Sequence, residues 1–439
     1  MRTHADVVVV GAGLLGLAAA RALARRGREV VVLEQAEIGH EGAGSKGSCR
    51  IFRLGYADPG YVEAARLARE LWHSLETEAS TRILHPTPQL TFGPDLTAVH
   101  EAMLLAGAPC ELVPASEAAR MFPAVAANGP ALLEPQSCVI AADRALAALA
   151  APIPDIGTAP QVRTGVRVTG VADDGRLVTV HTSQGPLAAS TAVVCAGPWS
   201  GQLLAGLDVS LPAAPTLEQV AYLDLGGTAA GQTAADGTPP AGTPPAGTPP
   251  DGMPIFIRHG DPSPYGLPVP GTSLYKIGIH ASGPPADPDG QDQSADQELS
   301  ARLAAVARQY LPGLDPRPVR TERCVYDNTP DEDFVIDRIG NVVIGCGTSG
   351  HGFKFGPLIG EWLADLAAAG ARPGHAGPGH TGPGGTGPGS TGPGSTGPGS
   401  AGRAGPARTV SSHLSLERFR LARFGPSRLS AAGGGSGPR

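Results

Sequence analysis

The sequence predicts an α/β protein whose first domain is a parallel-sheet, dinucleotide-binding unit assembled from separated stretches of chain. Three observations predict it. Asp6-Val7-Val8-Val9-Val10 is a continuous β-branched run, the pattern of a strand buried on both faces. Gly11-Ala12-Gly13-Leu14-Leu15-Gly16 follows at once and opens a helical stretch, 17–26, stopped by Gly27; Glu29-Val30-Val31-Val32-Leu33-Glu34 then reads as a second parallel strand, completing a βαβ unit. Far downstream, Thr191-Ala192-Val193-Val194-Cys195 reads as another strand of the same sheet, so the domain is discontinuous.

The remaining elements follow in order. Residues 61–79 carry apolar positions at helical spacing, including Leu71 and Leu75. Phe334-Val335-Ile336-Asp337 is strand-like. Residues 226–252 contain three Thr-Pro-Pro units with Gly and Ala, a composition that cannot bury enough apolar surface to fold. A second tract, 371–408, repeats Thr-Gly-Pro-Gly-Ser with a period of five, not the period of three that a collagen helix requires. Both read as insertions. Ordinary composition returns at 413–421, which is expected to dock back on the first domain, and 429–439 reads as a flexible tail.

Length and charge bound the function. At 439 residues there is room for two or three domains. A net charge of −7 argues against a nucleic-acid partner. No uninterrupted apolar stretch of about 18 residues exists to span a bilayer, and no signal peptide precedes the first strand. Six scattered cysteines show neither metal-site spacing nor disulfide density, so no metal is expected, and a cytoplasmic protein with reduced thiols fits best.

Four blocks carry chemistry. In the first, Gly11, Gly13 and Gly16 permit the tight turn and close approach of a pyrophosphate, Leu14 and Leu15 lie within the same cofactor-binding turn, the N-terminus of the helix that follows attracts negative charge, and Glu34, 18 residues beyond Gly16, can accept from ribose hydroxyls while repelling a 2′-phosphate. The second is Gly44-Ser45-Lys46-Gly47-Ser48-Cys49-Arg50-Ile51-Phe52-Arg53, a Gly/Ser loop ending in two arginines three apart, a residue type suited to carboxylates. The third runs from Tyr265 through Lys276 to His280, and the fourth is Gly350-His351-Gly352-Phe353-Lys354.

These blocks, with Cys324 in Glu322-Arg323-Cys324-Val325-Tyr326, resemble the monomeric sarcosine oxidase and N-methyltryptophan oxidase family, in family order from residue 5 to about 424 apart from the two tracts. The loop departs from the commoner family pattern at Lys46 and Cys49. The resemblance implies a discontinuous Rossmann-like FAD-binding domain (1–80, 141–210, 325–370 and 409–428) and a substrate domain on a mixed β-sheet (81–140 and 211–324). It implies FAD held as a thioether by Cys324, with Ser45, Gly350, His351, Gly352 and Lys354 also at the cofactor. Arg50 would lie over the flavin ring; Arg53 and Lys354 would grip the substrate carboxylate, with Tyr326 and Gly350 beside the substrate. Lys276 would sit next to the flavin, where a fixed cation stabilises an anion forming from dioxygen; Tyr265 and His280 would complete the catalytic set.

The implied activity is oxidation of a secondary amino acid to an imine, with dioxygen reduced to hydrogen peroxide by a monomeric enzyme. A biosynthetic oxidase of a cyclic imino acid such as pipecolate or a piperideine would keep every block and differ in pocket shape. A flavin dehydrogenase using another acceptor is disfavoured by Lys276, and a non-enzymatic scaffold by the intact polar set.

Overall fold

The computed structural model describes residues 4–154, 160–226, 253–369 and 415–424. The insertions expected at 226–252 (beyond Gly226) and 371–408, and the tail at 429–439, lie outside the described residues.

The first sheet is centred on His4–Val10, with Leu187–Val194 parallel on one side and Val30–Leu33, then Gln161–Arg163, parallel on the other. Val342–Cys346 pairs parallel with Leu187–Val194, and Val335–Ile339 folds back antiparallel on it. Two further strands, Val178–Thr182 and Val168–Asp173, extend the sheet antiparallel. The run 7–10 is buried because helices Leu14–Arg25, Pro59–Ala79 and Gly356–Ala369 cover one face, while Val168, Val178, Val180 and Leu204 pack on the other. The first helix begins at Leu14, not at 17, because Gly13 takes the N-cap and the first turn lies inside the glycine motif. The second begins at Pro59, where a missing N–H costs nothing, with Asp58 capping from the preceding position.

The second sheet is mixed. Its order is Arg320–Asn328, Ala214–Asp224, Leu274–Ile279, Pro264–Pro268, Ile255–Arg258, Gln89–Phe92, Ala131–Glu134 and Glu111–Val113, with only the Ile255–Arg258 to Gln89–Phe92 pair parallel. Its back face is apolar: Leu223, Tyr275, Ile277, Phe256, Leu90 and Leu133 lie under helix Gln297–Tyr310, which contributes Leu303, Val306 and Tyr310. The expected domain boundary at 325 needs correction. The ladder from Arg320–Asn328 to Ala214–Asp224 runs unbroken through Asn328, so residues 325–328 belong to this sheet. A small third sheet (Cys49–Phe52, Cys138–Ala141, Leu84–Pro86) links the two large ones.

Residues 415–424 return to the first domain. Phe419 is fully buried against Phe334 and Trp362, and Arg418 bridges Asp58 and Asp333. Among the described residues, no helix is long and apolar enough to cross a membrane.

Candidate active site

Strand parity builds one wall of the site. Residues opposite each other in a ladder share a face, and Gly278 lies opposite both Val220 and Tyr265, Tyr265 opposite Ile257, and Cys324 opposite Glu218. Counting in twos puts Cys324, Tyr326, Lys276, His280, Tyr265 and Ile257 on the face opposite the apolar one. This front face looks across a cavity of about 570 Å³ towards the carboxyl ends of the first sheet's strands, the usual place for ligands in open α/β sheets. The cavity brings together every side-chain residue expected from the sequence: Glu34, Ser45, Arg50, Arg53, Tyr265, Lys276, His280, Cys324, Tyr326, His351 and Lys354. Gly11, Gly13, Leu14, Leu15, Gly350 and Gly352 line it too, whereas Gly16 lies behind it, packed on Gly11.

At the nucleotide end the backbone does the work. Gly11 adopts φ +97°, and a Cβ there would meet the Cys195 carbonyl oxygen at 2.5 Å. A Cβ on Gly16 would collide with the Gly11 carbonyl. The helix that follows has no side-chain cap at Gly13; Leu14 N donates to Ser45 Oγ at 3.0 Å. Glu34 is buried at the end of the second strand, accepting from Ala12 N at 2.8 Å and Ala36 N at 3.1 Å.

In the middle, Arg50 folds back on its own loop, donating to the carbonyls of Gly44, Lys46 and Cys49. Lys276 is 5% exposed and donates to Cys49 O at 3.3 Å. Burial lowers its pKa, and Arg50 lowers it further. Burial raises the Cys324 thiol, with Arg50 and Lys276 pulling the other way.

The far end is a cationic pocket built round Tyr56. The Arg53 guanidinium lies 4.1 Å from its ring centre and Lys354 Nζ 5.3 Å. The hydrogen bonds fix each partner's role. His351 Nε2 lies 2.9 Å from the Glu332 carbonyl and so carries the proton; Nδ1 then accepts from the Tyr56 hydroxyl at 3.2 Å. The Tyr56 oxygen in turn accepts from Lys354 Nζ at 2.8 Å, and the ammonium also donates to His351 O at 2.9 Å, leaving one of its three donors for the cavity. Burial and then Arg53 hold Lys354 well below the ordinary lysine range. Burial pushes Tyr56 up to about 12. Among the described residues neither Arg53 nor Lys354 is paired with a carboxylate.

Sequence reasoning missed four contributors. Tyr56 lies three residues past Arg53 in the same loop, a spacing that could have flagged it. Asp327 is buried and pins the 347–349 turn by accepting from Gly347 N, Thr348 N and Thr348 Oγ1 at 2.7–2.9 Å. His259 lines the substrate end of the cavity, and Glu134 underlies the turn after Arg53. Nothing in their local sequence singles out the last three.

These residues fit FAD on three observations. The glycine cradle admits a backbone-bound pyrophosphate, Glu34 offers a carboxylate at the ribose position, and a Cβ on Gly350 would strike the Tyr326 ring, so the 350–352 turn approaches the front face as closely as backbone can.

Comparisons with known proteins agree. The family model for FAD dependent oxidoreductases matches residues 6–366. Monomeric sarcosine oxidase from Bacillus sp. (strain NS-129) is 32% identical over 383 residues, covering 84% of this chain and 94% of that one. Peroxisomal sarcosine oxidase from Homo sapiens is 31% identical over 382 residues, covering 82% and 92%. Among solved structures, the open form of NikD, an unusual amino acid oxidase essential for nikkomycin biosynthesis, superposes with a TM-score of 0.71 at 26% identity, covering 85% of this chain and 96% of that one. With its glycine cradle, its front-face side chains and these relatives, the chain belongs to the FAD-dependent oxidoreductases and, within them, to the sarcosine oxidase family.

Proposed function

We propose that the protein is a monomeric oxidase of secondary (N-methyl) amino acids, giving an imine that water hydrolyses and reducing dioxygen to hydrogen peroxide. One observation carries the reading: two cations, Arg53 and Lys354, share the Tyr56 ring in a cavity where, among the described residues, no carboxylate is bonded to either. Such a pair matches the carboxylate of an amino acid.

When bound, FAD supplies the two-electron redox chemistry. The chain's own residues orient the substrate. Arg53 and the free donor of Lys354 hold the carboxylate, and Tyr265, His280 and Tyr326 wall the space beside it. Burial lowers the His280 pKa, which favours a neutral ring able to share a hydrogen bond with the amine. Arg50 closes the loop over the cavity, while Lys276, buried and without a carboxylate bonded to it among the described residues, would present positive charge where an anion forms from dioxygen. Cys324, which lines the cavity on the front face where Lys276 and Arg50 act on its thiol, would hold FAD as a thioether.

The second reading, a biosynthetic oxidase of a cyclic imino acid, would keep the same residues in the same roles; the likeness to NikD, an amino acid oxidase essential for nikkomycin biosynthesis, supports its biosynthetic part. The test is a screen of secondary amino acids and ring imino acids, scored by anaerobic bleaching of the flavin and by peroxide on readmission of air. Sarcosine or another N-methyl amino acid should be turned over fastest. Bleaching by ring imino acids alone selects the second reading, and bleaching without peroxide overturns the oxidase assignment.

A further inference from the structure

We propose that Glu134 is a positioning residue of the carboxylate subsite: it fixes the turn that carries Tyr56 and supplies the countercharge that keeps Arg53 and Lys354 together as a pair matched to one carboxylate. The proposal rests on the reading that these two cations receive the substrate carboxylate.

Glu134 is 2% exposed and ends the Ala131–Glu134 strand on the front face, opposite Gln89. Its neighbours all donate to it. Oε2 accepts from Leu54 N at 3.1 Å and Gly55 N at 2.8 Å; Oε1 accepts from Gln89 Nε2 at 2.7 Å and Thr91 Oγ1 at 3.2 Å. Only an acceptor on both oxygens satisfies that set, which is the pattern of an ionised carboxylate. Gly55 has no room for a side chain, because a Cβ there would lie 2.5 Å from Oε1. The carboxylate therefore occupies the inside of the turn, and the next residue is Tyr56, the ring on which both cations rest.

No cation is bonded to Glu134 among the described residues, so a buried negative charge is held by neutral dipoles alone. Burying a lone charge is costly, and so is burying two cations side by side. Each relieves the other across the turn. The groups facing Lys354 are Arg53 and Tyr56 from the 53–56 loop, His351 from its own turn, His280 from the neighbouring strand end, and Glu134. Arg53 and burial depress Lys354; Glu134 is the group that opposes them. Without that opposition Lys354 gives up its proton at a lower pH, and the subsite loses half its charge.

Gln89 faces Glu134 with its Nε2, and its Oε1 has no hydrogen-bond partner among the described residues. In Glu134→Gln the new amide can keep its oxygen towards Leu54 and Gly55; its N–H then faces Gln89, which turns its own amide over to present Oε1 as acceptor, with Thr91 Oγ1 donating to that oxygen instead, so charge is removed while the turn stays in place. The experiment titrates acetate into flavin-loaded protein by calorimetry from pH 6 to pH 10. Wild type should bind acetate and lose affinity as pH rises through the Lys354 pKa. Glu134→Gln, with flavin content and melting temperature preserved, should lose it about one pH unit or more earlier and bind about 10-fold more weakly at a pH above both midpoints. Glu134→Asp, which keeps the charge, should retain the wild-type midpoint. Wild-type binding with an unchanged midpoint in Glu134→Gln overturns the countercharge; so does an acid shift in Glu134→Asp equal to that in Glu134→Gln. Failure of wild type to bind acetate at any pH overturns the carboxylate subsite itself, a different result from either.

Discussion

The two ends of the cavity are made in different ways. At the nucleotide end, the 11–16 turn lies beside the first sheet and the determinants are absences: Gly11 and Gly16 are places where a Cβ would strike backbone. At the substrate end the determinants are side chains on the front face of the second sheet, from separate strands brought into phase by their pairing. A site made of backbone is contiguous and tolerates nothing larger than hydrogen. A site made of side chains is scattered, graded in effect, and separable into half-reactions. The two ends should therefore fail differently.

The largest effect belongs to the backbone end. Gly16→Val places two branches where even a Cβ overlaps the Gly11 carbonyl, so the turn and the helix start must both move. Purified variant should carry almost no flavin, read as the ratio of absorbance at 450 nm to that at 280 nm. Full flavin content would show that the cradle yields more than its geometry allows.

At the substrate end Arg53→Met should leave flavin content intact and weaken substrate binding by about 2–4 kcal/mol, the cost of removing a charge-assisted partner from a buried carboxylate. The same pocket sets a pH limit. Lys354 is held below the ordinary lysine range, so its charge is complete at low pH and is lost as pH rises through the lowered value. Substrate KM should accordingly climb at a pH well short of the free lysine range, and kcat should not follow it. Lys276→Met tests the middle of the cavity. Reoxidation by dioxygen should slow by about two orders of magnitude while anaerobic reduction keeps its rate, as when one preorganised charge-stabilising group is removed. Stopped-flow measurement of both half-reactions checks it, and equal slowing of the two would place Lys276 in substrate binding instead. Cys324→Ala asks whether the two ends are joined covalently: acid-precipitated wild type should stay yellow and the variant should not.

The same contrast explains what the sequence disclosed. The 11–16 motif, the Arg50 and Arg53 pair and the 350–354 block could be read because each is a short run whose neighbours in sequence are its neighbours in space. Glu134 and Asp327 act on backbone amides more than 15 residues away, Leu54, Gly55, Gly347 and Thr348, and no local pattern reports such a partner. Tyr56 lies between these cases: its spacing from Arg53 could flag it, while its role becomes clear once Lys354 is seen on the same ring. The pairing of residues 325–328 is of the same kind: the ladder through Asn328 is a property of two strands, which no single residue such as Cys324 reports.

The smallest expected effect concerns His259, which sits past the end of the Ile255–Arg258 strand and lines the substrate end of the cavity. Burial lowers its pKa to about 4, with Arg53 adding to the shift. The sign is that of a base: below about pH 4 the ring charges, and through the neutral range it is an uncharged donor and acceptor. It therefore adds shape and one hydrogen-bonding edge to the pocket, not charge. His259→Leu keeps most of the volume and removes that edge. Turnover of sarcosine, too small to need a distant edge, should change by less than about 5-fold, the scale of one modest hydrogen bond. The pH dependence between 6 and 9 should not move at all, because no proton is exchanged there. A variant that shifts that profile would show that His259 carries charge at neutral pH. The substrate end would then hold three cations, and its match to a single carboxylate would have to be abandoned.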